Sequence, residues 1–173
     1  FEAGLIASAL GKGQTITPDS AMKIVDGQIN YQKALYKQAN EAYLATNGKL
    51  KGVTTTKSGL QYRILTKGNG PIATDSTEVE VDYEGSLIDG TIFDSSIKRG
   101  KSATFRPSQV IAGWREALTT FPEGTVAELY IPSALGYGER GQGAAIPGNS
   151  TLIFHIEIHK VKLPAAATPA AKK

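Results

Sequence analysis

The sequence has no cysteine and only two histidines among its 173 residues. The lack of cysteine excludes disulfide bonds, thiolate nucleophiles and cysteine metal ligands. No apolar run approaches the roughly 18 residues that a membrane-spanning helix needs, so we expect no membrane span. The 19 basic and 16 acidic residues give a net charge of +3 and are scattered along the chain, so nothing predicts a nucleic-acid partner.

The two histidines alternate with a glutamate, as His155, Glu157 and His159 in FHIEIHK. This spacing places the three side chains on one face of a strand, where they could in principle hold a metal ion. The residues between them are apolar and suit the buried face, so we interpret the trio as a solvated strand face without a metal. Nucleophilic catalysis needs a base beside the nucleophile, and histidines on an outer face supply none.

The first segment of the chain predicts helices. Apolar residues recur every four positions in FEAGLIASAL until the glycines of GKG stop the pattern. Thr17 followed by Pro18 predicts the start of a longer helix, with the hydroxyl as N-cap and proline at the first helical position. Asn47-Gly48 predicts its end.

This longer helix carries an apolar stripe at alternating intervals of three and four residues. The stripe consists of Met22, Val25, Ile29, Gln32, Tyr36, Ala39 and Tyr43. Two interpretations stay open. Either residues 1–47 form a homodimer interface, or the helix packs on the chain's own second domain.

After the polar link KLKGVTTTKSG the apolar period changes to two, which predicts strands. The alternation gives a common face to Leu60, Tyr62 and Ile64 in LQYRIL and to Val79, Val81 and Tyr83 in EVEVDYEG. Asp89-Gly90 predicts a tight hairpin turn, VAELYI and TLIFHIEIHKVKL predict two more strands, and one short helix is expected at about 108–118. We therefore predict an α+β fold, an antiparallel sheet covered by one small helix.

The expected domain organisation has three parts. Residues 1–57 form a helical segment and linker, and residues 58–163 form the β-rich domain. The Ala/Pro/Lys tail at 164–173 has low complexity and is expected to be disordered.

The stretch GYGERG matches the G-x-G-x-x-G spacing of dinucleotide-binding loops. Such a loop must open a helix, and the glycines and proline of the following GQGAAIPGNS exclude one, so we reject that interpretation. Aromatic and aliphatic residues are dense around the loops: Tyr83, Phe93, Phe105, Val110, Ile111, Trp114, Tyr137, Ile146 and Phe154. Several belong to a core, but VIAGW at a helix start and Tyr137 in a glycine-rich loop favour an apolar ligand pocket.

Four motifs follow one another along the chain: VDYEGSLIDGTIFDSS, FRPSQVIAGWREAL, IPSALGYGERG and IPGNSTLIFHIEI. Over about residues 58–163 they resemble the FK506-binding-protein (FKBP) type of peptidyl-prolyl cis-trans isomerase. The helical segment ahead of SGLQYRIL is similar to the macrophage infectivity potentiator and FkpA-like bacterial branch, whose members dimerise through that region. The resemblance implies a curved antiparallel β-sheet wrapped around a short α-helix, preceded by an α-helical dimerisation segment.

The resemblance also implies a proline pocket with Trp114 as its floor. Its walls are expected to be Tyr83, Phe93, Phe105, Val110, Ile111 and Phe154. The implied catalytic residues are Asp94, Tyr137, Tyr83 and Phe93. The implied substrate-binding residues are Trp114, Val110, Ile111, Phe105, Phe154, Ile146 and Arg99.

Individual roles follow from the same resemblance. The Ile111 amide and the Tyr137 hydroxyl are expected to bind substrate carbonyls, and Ile146 to lie in a flap. Asp94 is expected beside the rotating bond, with Arg99 steadying that aspartate and tyrosine. The alternative for Asp94 is a purely structural carboxylate bonded to Arg99 or Tyr137.

Two positions depart from the family pattern. Ala103 stands where the wall often has an aromatic residue, and Ala145 precedes the flap residue in place of a bulkier side chain. We expect a flatter, more open pocket, with an effect on macrolide affinity more than on activity.

The resemblance implies an isomerase of Xaa-Pro bonds that assists protein folding without a cofactor. Proline-containing polypeptides are the expected clients, and macrolides of the FK506 and rapamycin type the expected inhibitors. The alternative is a dimeric holdase chaperone or a proline-peptide binding module with little turnover. The expected location is periplasmic or outer-membrane associated in a bacterium, with the cytoplasm as alternative.

Overall fold

The structure, a computed structural model, describes residues 17–162. The chain divides into two compact units, Phe1–Leu35 and Tyr36–Lys173. The helix predicted in FEAGLIASAL and the tail predicted at 164–173 lie outside the described residues. Within 17–162, none of the helices combines the length and the hydropathy of a membrane span.

The predicted long helix is present as α1, Pro18–Asn47. The Thr17 hydroxyl oxygen accepts a hydrogen bond from the Ser20 amide at 3.2 Å, as expected of an N-cap. At the other end the Gly48 amide donates to the carbonyl oxygen of Leu44 at 2.9 Å. Both helix boundaries therefore agree with the capping signals in the sequence.

The predicted stripe along α1 does not behave uniformly. Met22, Val25 and Ile29 are 65%, 51% and 46% exposed. Residues 36–47, which belong to the second compact unit, pack on the sheet through a face that contains two buried asparagines. Packing on the chain's own domain, one of the two interpretations left open, thus occurs in this part of the helix. It uses Tyr36 and Tyr43 of the predicted stripe, whereas the two buried asparagines lie outside that stripe.

The predicted α+β architecture is confirmed, with a sheet of seven strands. They are β1 (Val53–Thr55), β2 (Gln61–Thr66), β3 (Glu78–Ser86), β4 (Ile92–Ser95), β5 (Ala103–Phe105), β6 (Val126–Ile131) and β7 (Leu152–Lys162). Two short helices join them, α2 (Ser96–Arg99) and α3 (Ala112–Leu118). The order is β1-β2-β6-β7-β3-β4 with β5 also paired to β3, and every pair is antiparallel.

The strand β3 shows the predicted alternation. Val79, Val81 and Tyr83 are buried, and the residues between them are half-buried. β3 pairs with β7 on one side and with β4 and β5 on the other. Its buried residues share one hydrophobic core with Trp114 and Leu118 of α3.

The alternation predicted for β2 is only partly correct. Leu60 is buried, but Ile64 is 37% exposed and the polar Gln61 is 6% exposed. The Gln61 carboxamide donates to the carbonyl oxygen of Leu44 at 2.8 Å and accepts from Asn47 at 2.9 Å. Because α1 covers this face of β2, a polar residue with two hydrogen-bond partners is buried there.

The helix predicted at 108–118 is shorter than expected. A 3-10 turn at Pro107–Gln109 comes first, and α3 begins only at Ala112. Val110 and Ile111 between them are extended, with ψ of 170° and 155°. Both are β-branched and favour extended backbone, and this break separates them from the helix.

Candidate active site

Nearly all the predicted site residues line one cleft, which has a volume of about 640 Å³. It is lined by Tyr83, Phe93, Asp94, Phe105, Gln109, Val110, Ile111, Trp114, Tyr137, Gln142, Ala145, Ile146 and Phe154. Arg99 is the one predicted site residue outside the lining. Ala103 packs against the core and does not line the cleft.

Trp114 lies on α3 and is only 5% exposed. The rings of Tyr83, Phe105 and Phe154 stand nearly perpendicular to its indole, with centroid distances of 5.2, 5.4 and 5.1 Å. Such edge-to-face contacts hold aromatic rings in one orientation. The buried indole N–H has no hydrogen-bond partner in the described part of the chain.

The extended pair Val110–Ile111 enters the cleft because α3 starts only after it. The Ile111 carbonyl oxygen accepts the first helical hydrogen bond, from the Arg115 amide at 2.9 Å. Within residues 17–162 no backbone acceptor binds the Ile111 amide. This N–H is therefore available to a ligand carbonyl at the edge of an otherwise apolar wall.

Asp94 is held by two side chains. The Tyr83 hydroxyl donates to Asp94 Oδ2 at 2.5 Å, and Arg99 donates to Asp94 Oδ1. Arg99 also donates to the Tyr83 hydroxyl oxygen at 3.1 Å. The tyrosine that Arg99 steadies is therefore Tyr83, whereas the sequence interpretation offered Tyr137.

These contacts set the charges at the mouth of the cleft. Burial alone would raise the pKa of Asp94, but the hydrogen bonds from Tyr83 and Arg99 bring it below its usual value. Burial, and then the bond to Asp94, raise the pKa of Tyr83. At neutral pH the cleft therefore presents one carboxylate beside a neutral phenol and a guanidinium.

The short helix α2 explains how Arg99 reaches Asp94, and sequence reasoning missed it. Ser95 is its N-cap and accepts from the Lys98 amide at 3.1 Å. Gly100 ends it in the left-handed region, at φ 69°, which favours glycine. One helical turn between these caps returns the chain toward Asp94. The signal in the sequence was the serine and glycine flanking SIKR.

The glycine-rich stretch forms a flap, residues 137–149, and no helix follows it. Gly138 and Gly141 have φ of 63° and 71°, a conformation that glycine adopts readily. A side chain on Gly141 would also approach the carbonyl oxygen of Ile146 to 2.1 Å. The glycines therefore allow a tight turn that brings Tyr137 and Ile146 to the cleft, as the sequence analysis predicted.

Two polar lining residues were missed altogether, Gln109 and Gln142. Gln109 ends the 3-10 turn before Val110, and the backbone of Gln142 pairs with Ile146 within the flap. A search for charged or aromatic groups passes over both. They add amide donors and acceptors at the rim of the apolar cleft.

The histidine and glutamate trio of β7 does not converge on one point. His155 contacts Glu157 at 3.1 Å, while His159 contacts Asp82 at 2.8 Å. Within 17–162 no group of three or more potential ligand side chains could hold a metal ion. The trio lies on a partly exposed strand face, as predicted.

Two models of known protein families match this chain. Residues 70–159 match the family model of the FKBP-type peptidyl-prolyl cis-trans isomerase, and residues 2–64 match the domain amino terminal to FKBP-type peptidyl-prolyl isomerase. The chain is similar to FkpA of Aeromonas hydrophila, with 41% identity over 97% of this chain and 66% of that protein. It is also similar to the outer membrane protein MIP of Legionella longbeachae, with 46% identity over 75% of this chain and 55% of that protein.

A solved structure supports the fold. The crystal structure of FkpA from Escherichia coli matches with a TM-score of 0.75 and 32% identity, over 94% of this chain and 82% of that one. The chain spans about half to two thirds of the length of the curated relatives it matches. It belongs to the family of FKBP-type peptidyl-prolyl cis-trans isomerases, in the branch that contains FkpA and Mip.

Proposed function

We propose that the protein is a peptidyl-prolyl cis-trans isomerase that binds proline in the cleft above Trp114 and accelerates rotation about the preceding bond. The observation that carries this is the composition of the cleft, an aromatic floor and walls with single polar groups at the edge. The reaction breaks no covalent bond. A site without a base beside a nucleophile is therefore suited to it.

The barrier to rotation comes from amide resonance, at about 20 kcal/mol. In the twisted transition state that resonance is lost, so the bond is less polar than in the planar ground state. An apolar wall disfavours the polar planar form, and a shape that fits the twisted form adds differential binding. Trp114, Phe105 and Phe154 supply such a wall, since the nearly perpendicular contacts of Phe105 and Phe154 with Trp114 fix their rings.

The polar groups orient the peptide. The Ile111 amide and the Tyr137 hydroxyl each hold a substrate carbonyl, and Phe93 packs beside the bond. Asp94 acts electrostatically near the rotating carbonyl, and its bonds to Tyr83 and Arg99 keep it ionised. Ile146 closes the cleft from the flap.

Proline-containing polypeptides are the proposed clients, and macrolides of the FK506 and rapamycin type the proposed inhibitors. Ala145 lines the cleft with a methyl group only. Ala103, also small, lies outside the lining. A macrolide larger than a proline ring should therefore lose contact area at Ala145, while a peptide keeps its contacts with Trp114.

We propose that two copies of the chain associate through residues 1–47 and that residues 58–163 form the isomerase domain. The exposed apolar side chains of Met22, Val25 and Ile29 support the dimer, because burial against a second copy removes them from water. We also propose a periplasmic or outer-membrane associated location. The relative named outer membrane protein MIP supports this.

The first experiment measures cis-to-trans isomerisation of a short Xaa-Pro peptide by the intact protein, with and without FK506. Acceleration that FK506 abolishes is the expected result and assigns catalysis to the cleft. Acceleration that persists at saturating FK506 would move catalysis elsewhere. No acceleration by protein with a native circular-dichroism spectrum would contradict the proposed activity.

A further inference from the structure

The face of α1 that packs on the sheet domain contains Asn40, which is 2% exposed. Its Oδ1 accepts a hydrogen bond from the Thr151 amide at 2.7 Å, and its Nδ2 donates to the Tyr36 carbonyl oxygen at 2.8 Å. Thr151 is 1% exposed and stands directly before β7. A buried carboxamide is costly unless its groups are paired, so this asparagine fixes the helix to one backbone position.

Tyr36, one helical turn before Asn40, makes a second link. Its hydroxyl lies 2.7 Å from Ser150 Oγ, and Ser150 Oγ donates to the carbonyl oxygen of Pro147 at 2.6 Å. A serine hydroxyl has one proton to donate, and Ser150 donates it in the hydrogen bond to the Pro147 carbonyl oxygen. The Tyr36 hydroxyl must therefore donate to Ser150. The two bonds form a chain in which each polarises the other.

This chain ends in the flap. Pro147 directly follows Ile146, which is 4% exposed and lines the cleft. The flap is closed on itself by paired bonds between the backbones of Gln142 and Ile146, at 2.8 and 3.2 Å. At its base the Asn149 amide donates to the Gly138 carbonyl oxygen at 2.8 Å. Because the flap is closed by these bonds, the hydrogen bonds that fix Ser150 and Pro147 also restrain the rest of the loop.

We infer that Tyr36 is a positioning residue for the isomerase site: its hydroxyl, through Ser150, holds the flap in its binding conformation. This rests on the proposed isomerase function. Tyr36 lies on the same helix as the proposed dimer contacts. The residue to which its hydroxyl bonds, Ser150, is not part of the cleft lining. Asn40 acts beside it by fixing the following residue, Thr151.

The effect is expected on binding rather than on the chemical step. A flap that is already ordered loses little entropy when a peptide binds, whereas a loosened flap must be ordered by the peptide. Loss of the Tyr36 hydroxyl should therefore raise KM and leave kcat nearly unchanged. General destabilisation has the opposite signature, since a smaller folded fraction lowers the apparent kcat at constant KM.

The test compares Tyr36→Phe with Tyr43→Phe in the full chain. Tyr43 is on the same helix and also half-buried, and it packs on Tyr130 with a centroid distance of 6.4 Å. Removing its hydroxyl makes the same chemical change without touching the link to Ser150. Hydrogen exchange is followed at the amides of Gln142, Ile146 and Asn149.

In Tyr36→Phe these flap amides should exchange about fivefold faster, the change expected for one net hydrogen bond. KM for the Xaa-Pro peptide should rise about fivefold with kcat within about twofold. Tyr43→Phe should change neither. Unchanged flap exchange in Tyr36→Phe would overturn the inference, as would faster exchange with unchanged KM.

Peptide affinity is measured in parallel by tryptophan fluorescence, because Trp114 is the only tryptophan in the chain. This readout does not require turnover. If the wild-type protein binds peptide but does not isomerise it, the proposed activity fails while the inference about the flap is still decided. A fivefold weaker affinity in Tyr36→Phe alone would support it, and equal affinities would overturn it.

Discussion

Tyr83 donates its hydroxyl proton to Asp94 across 2.5 Å, from β3 to the neighbouring strand β4. The same phenol is part of the cleft wall and stands perpendicular to Trp114. One side chain therefore connects the apolar floor to the carboxylate at the mouth. Arg99 completes the group by bonding both residues.

Replacing Asp94 with asparagine tests the electrostatic role. The amide keeps the shape of the carboxylate but removes its charge beside the rotating carbonyl. We expect kcat/KM for a Xaa-Pro peptide to fall on the order of tenfold, about 1.4 kcal/mol of transition-state stabilisation. The ion pair with Arg99 is half-exposed, so the free energy of unfolding should fall by about 1 kcal/mol or less.

Asp75→Asn is the matched control for Asp94→Asn. Asp75 is also a half-exposed aspartate paired with an arginine, Arg115, and it lies outside the cleft lining. The Asp75→Asn protein should show a similarly small decrease in the free energy of unfolding and keep full activity. A folded Asp94→Asn protein with wild-type kcat/KM would leave Asp94 only its structural role.

The pH dependence of activity follows from the same contacts. The pKa of Asp94 is held below the usual aspartate value by Tyr83 and Arg99 against the effect of burial. As the pH falls, Asp94 should therefore stay ionised to a lower pH than an ordinary aspartate, and the acid limb of kcat/KM should lie correspondingly lower. Its contribution to stability is likewise present above the unfolded pKa and lost as pH falls through the folded one.

Tyr83→Phe removes one of the two side-chain hydrogen bonds that favour the Asp94 carboxylate. The pKa of Asp94 should rise, and the acid limb of the kcat/KM profile should move to higher pH. The measurement is a pH series at constant ionic strength, with circular dichroism at each point to verify folding. An acid limb at the same pH in both proteins would mean that Asp94 does not control it.

The exposed side chains of α1 predict the effect of a charge on oligomeric state. Ile29 is 46% exposed, and in the proposed dimer it is buried against a second copy. Ile29→Glu should shift the protein toward the mass of one chain in sedimentation velocity, because an unpaired buried charge is strongly unfavourable. Gln28→Glu places the same charge on an exposed neighbour and should leave the mass unchanged. Equal masses for both variants would exclude this face as the contact.

The sequence predicted the parts of the structure that rest on local rules. The ends of α1 follow from the capping threonine and from Asn47-Gly48, and the burial of β3 follows from strict alternation. The lining of the cleft came from residue types and from the resemblance to a family. Such signals depend on a few neighbouring positions, so one sequence is enough to read them.

Long-range polar pairing was not predictable in the same way. The burial of Gln61 depends on Asn47 and on the Leu44 carbonyl, which approach it only after folding. The link from Tyr36 to Ser150 joins residues 114 positions apart. For the same reason the sequence analysis offered Arg99 or Tyr137 as partners of Asp94. Arg99 does bond to it, but the tyrosine is Tyr83, which the pairing of β3 with β4 brings close.

The rings of Phe93 and Phe154 lie against Gly85, where any other residue would have its Cβ. A side chain at this position should therefore displace both rings. A Cβ at this position would lie 2.5 Å from a ring carbon of Phe154 and 2.7 Å from one of Phe93. Gly85→Ala should therefore lose about 1–3 kcal/mol of stability and about tenfold in peptide affinity as the rings move. Gly70→Ala creates a comparable clash with Glu123, at 2.6 Å, outside the cleft lining, and should lose stability alone. Equal peptide affinities of the two folded variants, measured by Trp114 fluorescence, would mean that Phe93 and Phe154 do not shape the binding site.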